Sequence, residues 1–234
     1  MKLLALDTAS GQCSAALLID GTLRARSTRT ARGHAQLLLP MVDELLAEAQ
    51  LDLRGLDLIA FGRGPGSFTG LRIAASVTQG LAFGADLPVM PVSDLRALAE
   101  QARRLLQPEV VDGWALACMD ARMGEVYWAV QQIIAGQVHA ADVEHVSAPE
   151  AVLLPADKLP RIAAGRGLAA YPALLSRMGL LVQHCLPEAE PDARDIAMLA
   201  AADFAAGKPA LPADAAQPVY LRDQVAKTEI ERAL

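Results

Sequence analysis

The sequence GRGPGSFTGLR, residues 62–72, is the most distinctive segment of this 234-residue chain. It follows a mostly apolar run at 56–61 and leads into 73–85, which contains no charged residue. A strand, a glycine-rich turn and a helix start in this order present backbone N–H groups at a helix N-terminus. The glycines permit positive φ and close contacts, and Pro65 fixes one φ. The segment therefore predicts a loop suited to an anion or to the close approach of another chain.

The loop matches none of the three common glycine-rich patterns. It lacks the lysine of a P-loop, and the dinucleotide pattern fails because Thr69 holds its sixth place, counted from Gly64. The nucleophile elbow fails because Ser67 has Pro65 and Thr69 at the positions that require glycine. A specialised loop and a plain strand-to-helix turn both stay open. The loop residues of interest are Gly64, Pro65, Gly66, Ser67, Thr69 and Gly70.

Composition narrows the class of protein. Hydrophobic residues make up 53% and charged residues 21%, which is typical of a globular chain. The net charge of −6 argues against this chain alone holding tRNA or DNA, because phosphate binding depends on basic patches. Its three cysteines are isolated in apolar surroundings, and no signal peptide or membrane-spanning run is visible. We expect a soluble cytoplasmic protein with reduced cysteines, no metal site and no membrane association.

An internal similarity suggests a duplication. An apolar strand near residue 3 ends at Asp7, and another near residue 115 ends at Asp120. Each aspartate is followed four residues later by a glycine, Gly11 or Gly124, and then by a second strand of a hairpin. Two hairpins can also resemble each other by chance. A duplication predicts two similar α/β lobes that face each other across a cleft, with both aspartate turns pointing into it.

The periodicity of apolar residues divides the chain further. We predict an N-terminal lobe at 1–106, a C-terminal lobe at 107–207, and a linker and tail at 208–234 that returns to the first lobe. Helices are predicted at 34–49 and 71–83. The second helix has small residues and no charged face. Either its own lobe covers it completely, or a partner chain covers one side.

Five segments together resemble the TsaB (YeaZ) family. They are Leu6-Asp7-Thr8-Ala9, Gly33-His34-Ala35, the run 64–72, Asp120-Ala121-Arg122-Met123-Gly124, and Pro218-Val219-Tyr220-Leu221-Arg222. The resemblance implies the two-lobed fold of actin, sugar kinases and Hsp70, with duplicated ribonuclease H-like lobes. It also implies a role in making N6-threonylcarbamoyladenosine at position 37 of bacterial tRNAs that read ANN codons. In that machinery TsaD carries out the transfer, TsaE is an ATPase, and TsaB is the subunit that TsaD needs.

The same resemblance implies that the reaction centre has been lost. Asp94 and Leu98 stand where the catalytic relative has two metal-binding histidines, and leucine cannot bind a metal. We therefore expect a non-catalytic scaffold that docks TsaD and contacts TsaE and tRNA only through the complex. Without TsaD, we expect a homodimer through the same surface. We expect no cofactor other than a structural nucleotide at the TsaD interface.

The resemblance and the helix patterns together select two further sets of residues. The predicted partner interface comprises His34, Leu38, Met41, Leu45, Arg72, Ala74, Ala75 and Thr78. The predicted degenerate nucleotide cleft comprises Asp7, Thr8, Asp120, Arg122, Gly165 and Gly167.

The main alternative is an active kinase or ATPase of the same fold. Asp7 and Asp120 would then lie near Mg²⁺ and phosphates, and Gly165 and Gly167 near the adenosine. This is disfavoured because the first turn lacks an immediate glycine, and Arg122 occupies the equivalent place in the second. A peptidase is disfavoured as well, since neither a catalytic triad nor a metal pair can be recognised.

Overall fold

The computed structural model describes residues 1–30, 32–106, 112–141, 143–178 and 182–222. The predicted lobe boundary near residues 107–109 and the tail from residue 223 lie outside these ranges. The described chain contains two β-sheets, one built from its first half and one from its second half.

The first sheet has the strand order β3-β2-β1-β4-β5. Strands β1 to β3 are antiparallel, whereas β4 and β5 run parallel to β1. The strands are β1 (Lys2–Asp7), β2 (Gln12–Ile19), β3 (Thr22–Arg29), β4 (Leu58–Gly62) and β5 (Val89–Val92). β1 and β4 are continuous apolar runs because both faces of the sheet are covered. Helices α1 (His34–Glu48) and α2 (Phe68–Ala85) pack on the outer face.

The second sheet repeats this plan with the order β11-β10-β6-β7-β8, and β9 also pairs with β7. An antiparallel hairpin, β6 with β7, again lies beside two parallel strands, β10 and β11. The strands are β6 (Gly113–Arg122), β7 (Glu125–Ile134), β8 (Gln137–Val138), β9 (His145–Ser147), β10 (Ile162–Ala164) and β11 (His184–Leu186). The predicted two-lobed α/β fold with duplicated ribonuclease H-like lobes is confirmed.

Helices α3 (Asp94–Leu105) and α6 (Ala193–Ala205) lie between the two sheets. Helix α3, from the first half of the chain, packs on β6 and β10, whereas α6 packs on β1 and β2. Two ion pairs join these helices, one between Arg96 and Asp203 and one between Arg104 and Asp195, and each is made by two hydrogen bonds. Each sheet is thus covered by a helix from the other half of the chain. The predicted division of the chain into lobes at residues 106 and 207 therefore remains a proposal.

The remaining helices, α4 (Arg166–Ala170) and α5 (Pro172–Met178), belong to the second lobe, where α4 packs against β6. Polar side chains cap the starts of α2 and α6, and α2 therefore begins three residues earlier than predicted. Ser67 accepts the Gly70 N–H and starts α2 at Phe68, and Asp192 accepts the Arg194 N–H and starts α6. Thr69 and Gly70 therefore belong to the first turn of α2. Within the described ranges, no helix is both long and apolar enough to cross a membrane.

Candidate functional site

A cleft of about 1060 Å³ opens between the two lobes. The turn after β1 and the start of α2 form one wall, and the turn after β6 and helix α4 form the other. The charged side chains that line it are Arg29, Asp120, Arg122, Arg166, Glu188, Glu190 and Arg222. Positive and negative groups are interspersed, and several already pair with one another. The cleft is therefore close to neutral without any ligand.

The floor of the cleft is organised around Glu190, which is only 5% exposed. Its carboxylate accepts hydrogen bonds from the Ser10 hydroxyl at 2.8 Å and from the Arg29 guanidinium at 2.6 Å. A further bond of 3.3 Å comes from Arg166. Ser10 lies in the first aspartate turn and Arg166 at the start of α4, so Glu190 connects the two walls.

Beneath this floor, Asp7 and Asp94 form a fully buried carboxyl pair. Asp7 Oδ1 accepts the Ala9 N–H at 2.8 Å, and Asp94 Oδ2 accepts the Gly64 N–H at 2.5 Å. Burial, and secondarily the Asp94 charge, raise the pKa of Asp7 well above its usual range. Burial raises the pKa of Asp94 to about 7, although hydrogen bonds from Asp7 and Gly64 oppose it. Burial thus favours the protonated form of both carboxyls, and each accepts a backbone N–H of this chain instead of facing the cleft.

The glycine-rich loop packs against the turn after β1. The Ser67 N–H donates to the Ala9 carbonyl at 2.7 Å, and the Thr8 hydroxyl donates to the Gly70 carbonyl at 2.6 Å. A Cβ at Gly66 would lie 2.5 Å from the Ala9 oxygen, and one at Gly70 would overlap the Thr8 oxygen. These glycines permit a close backbone approach within this chain, as a strand-to-helix turn requires.

The predicted cleft residues lie in two places. Asp120 and Arg122 line the cleft, but Asp7 and Thr8 are fully buried below it. Gly165 and Gly167 are absent from the lining; a Cβ at Gly167 would lie 2.6 Å from Cys118 Sγ. These two glycines let α4 pack closely on β6, and only Arg166 between them reaches the cleft.

A short segment contributes Tyr220 and Arg222 to the lining of the cleft, and we call residues 219–222 the strap. The Val219 N–H donates to the Arg63 carbonyl at 2.7 Å, and the Tyr220 hydroxyl accepts from Arg72 Nε at 2.9 Å. Arg222 then crosses to the second lobe and binds the carboxylate of Glu125. The strap joins the first turns of α2 to the β6–β7 turn.

The predicted partner residues lie mostly inside the first lobe. The buried ones are Leu38, Met41, Leu45, Ala74, Ala75 and Thr78. They face the sheet, because the apolar stripe that identified the helices is also the stripe that a sheet covers. Of the other two, His34 lines the cleft, with its ring Nε2 3.2 Å from the Ser10 carbonyl oxygen. Arg72 is exposed, and its guanidinium carbon lies 3.7 Å from the centre of the Phe68 ring.

The opposite side of α2 is exposed, and we call its residues Arg72, Ser76, Gln79, Gly80, Phe83 and Gly84 the α2 face. Phe83 is 83% exposed, and a Cβ added at Gly80 or Gly84 would meet no atom within 4 Å. Phe68 is a second exposed ring at the start of the helix, where its centre lies 5.5 Å from that of Tyr220. A protruding phenylalanine beside open glycine positions makes this face suited to contact with another protein.

Sequence reasoning missed Glu190, Arg29 and Arg166. No motif marks them, because they come from three distant segments. Tyr220 and Arg222 could have been identified as cleft residues, because they belong to the segment 218–222, one of the five that resemble the family. Across the described parts of the chain, no group of three or more His, Cys, Asp and Glu side chains is placed to hold a metal ion. The cysteines are free, and burial raises the pKa of the Cys118 thiol to about 12.

Comparisons with known proteins give one family. A family model described as TsaD, tRNA N6-adenosine threonylcarbamoyltransferase, matches residues 28–229. The Escherichia coli tRNA threonylcarbamoyladenosine biosynthesis protein TsaB is 41% identical over 232 residues, covering 97% of this chain and 96% of the relative. The Haemophilus influenzae TsaB is 51% identical over 129 residues, covering 55% of this chain and 53% of the relative.

A solved structure agrees with these sequences. YeaZ from Pseudomonas aeruginosa superposes with a TM-score of 0.82 at 42% identity, covering 94% of this chain and 99% of that one. The match therefore extends through both lobes and the cleft between them. The chain belongs to the TsaB (YeaZ) family.

Proposed function

We propose that this chain is a non-catalytic subunit of the machinery that makes N6-threonylcarbamoyladenosine at position 37 of tRNAs reading ANN codons. It docks TsaD and is required for TsaD to transfer the threonylcarbamoyl group. The relatives' names support a role in threonylcarbamoyladenosine biosynthesis. The proposal includes TsaE and tRNA as indirect partners through TsaD, and a cytoplasmic location.

The α2 face carries this proposal. Phe83 projects from a surface that includes the open positions Gly80 and Gly84, so the backbone of α2 is accessible to a second helix. Burying one phenylalanine side chain contributes about 1.5–3 kcal/mol, before association costs are subtracted. We therefore move the proposed interface from the buried stripe of α1 and α2 to the exposed residues of α2.

The internal bonds of the cleft support the non-catalytic part of the proposal. Asp7 and Asp94 are fully buried and accept the Ala9 and Gly64 N–H groups, and Glu190 is held by Ser10, Arg29 and Arg166. A general base or metal ligand must reach its substrate, and these carboxyls are directed at the chain's own donors. A nucleotide, if one takes part, is proposed only as a structural ligand at the TsaD interface.

The test mixes purified wild-type chain or Phe83→Asp with TsaD on a size-exclusion column. The same samples are assayed for threonylcarbamoyl transfer to tRNA in the presence of TsaE. We expect the wild type to form a complex and to be required for transfer, and Phe83→Asp to lose both. The variant should keep its melting temperature, because Phe83 makes little contact with its own lobe.

Phe204→Asp is the matched control. Phe204 is also exposed, at 41%, but lies on α6, away from the α2 face. It should keep binding and transfer. Full binding by Phe83→Asp would contradict the assigned surface, whereas transfer without this chain would contradict the proposed function. ATP hydrolysis by the chain alone would instead favour the kinase alternative.

Self-association is the remaining part of the proposal. A second copy should cover the α2 face when TsaD is missing. Analytical ultracentrifugation over a concentration series should therefore show a dimer for the wild type and a monomer for Phe83→Asp. A monomeric wild type throughout that series would rule out the dimer and leave the TsaD proposal intact.

A further inference from the structure

The donors around Glu190 form a built anion site. Two guanidinium groups, from Arg29 and Arg166, and the Ser10 hydroxyl converge on a single carboxylate. These three residues come from β3, the start of α4 and the turn after β1, so the folded structure assembles the site. Arginine pairs and hydroxyls are the usual ligands of carboxylates and phosphates in proteins.

The site opens into the cleft. Arg29 and Arg166 have side chains that are 55% and 46% exposed, so they face solvent as well as Glu190. Glu190 itself is nearly inaccessible and contributes its carboxylate from the segment between β11 and α6. A small anion that replaced this carboxylate would therefore find its donors in place and a path from solvent.

We propose that this site is an oxyanion site whose occupant is the chain's own Glu190, and that free phosphate enters only when that carboxylate is removed. Two arginines here already face two carboxylates, since Arg166 also pairs with Glu188 at 3.1 Å. An added phosphate would put further negative charge beside Glu190, which like-charge repulsion disfavours. The inference stands apart from TsaD docking, because it concerns the cleft floor and not the α2 face.

Chemical rescue provides the test. In Glu190→Ala, the three donors lose their acceptor, so the melting temperature should fall. Titration with sodium phosphate at constant ionic strength should raise it again in a saturable way, because a ligand that binds only the folded state stabilises it. Calorimetry should show phosphate binding to Glu190→Ala about tenfold more tightly than to the wild type, equivalent to 1.4 kcal/mol.

Glu188→Ala is the matched control, since Glu188 lies two residues away and pairs with Arg166 at the surface. It should show no phosphate-specific rise in melting temperature. The double variant Glu190→Ala, Arg29→Ala should lose the rescue. If Glu190→Ala does not fold, Glu190→Ser also removes the carboxylate and leaves space for phosphate, and it allows the same titration. Equal phosphate responses in the wild type and the Glu190 variants would overturn the proposal.

Discussion

The turns that follow β1 and β6 have the same local hydrogen bonding, but the first is buried and the second is partly exposed. In each, the aspartate Oδ1 accepts the N–H two residues later at 2.8 Å, from Ala9 in the first turn and Arg122 in the second. Asp7 is fully buried, and burial together with the nearby charge of Asp94 raises its pKa. Asp120 has a side chain that is 22% exposed and pairs with Arg122 at 3.3 Å. One duplicated element thus carries a buried carboxyl in one lobe and a partly exposed, arginine-paired carboxyl in the other.

The difference comes from what packs behind each turn. The glycine-rich loop and the start of α3 cover the first turn, through Ser67, Gly70 and Asp94. The second hairpin continues past Asp120, and Arg122 pairs with Glu125 across a tight turn. Local sequence therefore determines the aspartate turn itself, and tertiary neighbours determine whether its carboxyl is buried.

The largest difference in unfolding free energy between the two turns is expected when one glycine near each turn is replaced by alanine. Gly70→Ala places a Cβ on the Thr8 carbonyl oxygen, so we expect a loss of about 3 kcal/mol or more in unfolding free energy. Gly124→Ala meets no atom within 4 Å and should cost about 1 kcal/mol for its φ of 79°. Urea unfolding of both variants measures the two values. Equal losses would show that the first turn is no more tightly packed than the second.

The next effect is on the pH dependence of stability. Folded Asp94, with a pKa of about 7, keeps a proton that the unfolded chain releases near pH 4. This stabilisation is complete below pH 4 and is lost as pH rises to about 7, at about 1.4 kcal/mol per pH unit for each proton retained. In Asp94→Asn, unfolding free energy should therefore fall less steeply over that range than in the wild type.

Asp120→Asn is the control for the second turn. This substitution leaves Asp7 and Asp94 in place, so the variant should keep the pH dependence that the buried pair produces. Urea unfolding at several pH values between 4 and 8 supplies all three curves. Matching slopes for Asp94→Asn and the wild type would mean that the buried pair does not retain protons.

A smaller effect is expected where the strap meets the second turn. Arg222 binds Glu125 and the Arg122 carbonyl, so Arg222→Ala should release this turn from the first lobe. A partly exposed ion pair contributes up to about 1 kcal/mol, and global stability should change by no more than that. Hydrogen exchange should become faster at 122–125 and stay unchanged at 7–11. Unchanged exchange at 122–125 would show that the strap does not hold the second turn.

The smallest effect is expected at Arg122. Its side chain is 86% exposed, and its pair with Asp120 is open to solvent. Arg122→Ala should change the free energy of unfolding by less than about 0.5 kcal/mol. Thermal unfolding measures this directly. A large loss would indicate that the second turn is packed in solution as tightly as the first.

Much of the fold could be predicted from the sequence because it depends on local patterns. Apolar runs identified β1, β4 and β6, and the repeated aspartate turns at 7 and 120 identified the duplication. The four-residue apolar period identified α1. The start of α2 was misplaced by three residues, since the cap at Ser67 is a single hydroxyl that hydrophobic periodicity does not detect.

The site could be predicted only in part, because its geometry depends on contacts between distant residues. A motif residue such as Asp7 or Gly165 looks the same in sequence whether it faces a cleft or packs beneath it. The sequence by itself determined the two-lobed fold, the glycine-rich turn and the family. Only the tertiary structure decided which residues are reachable, because burial and the convergence of Ser10, Arg29, Arg166 and Glu190 result from packing segments that lie up to 180 residues apart.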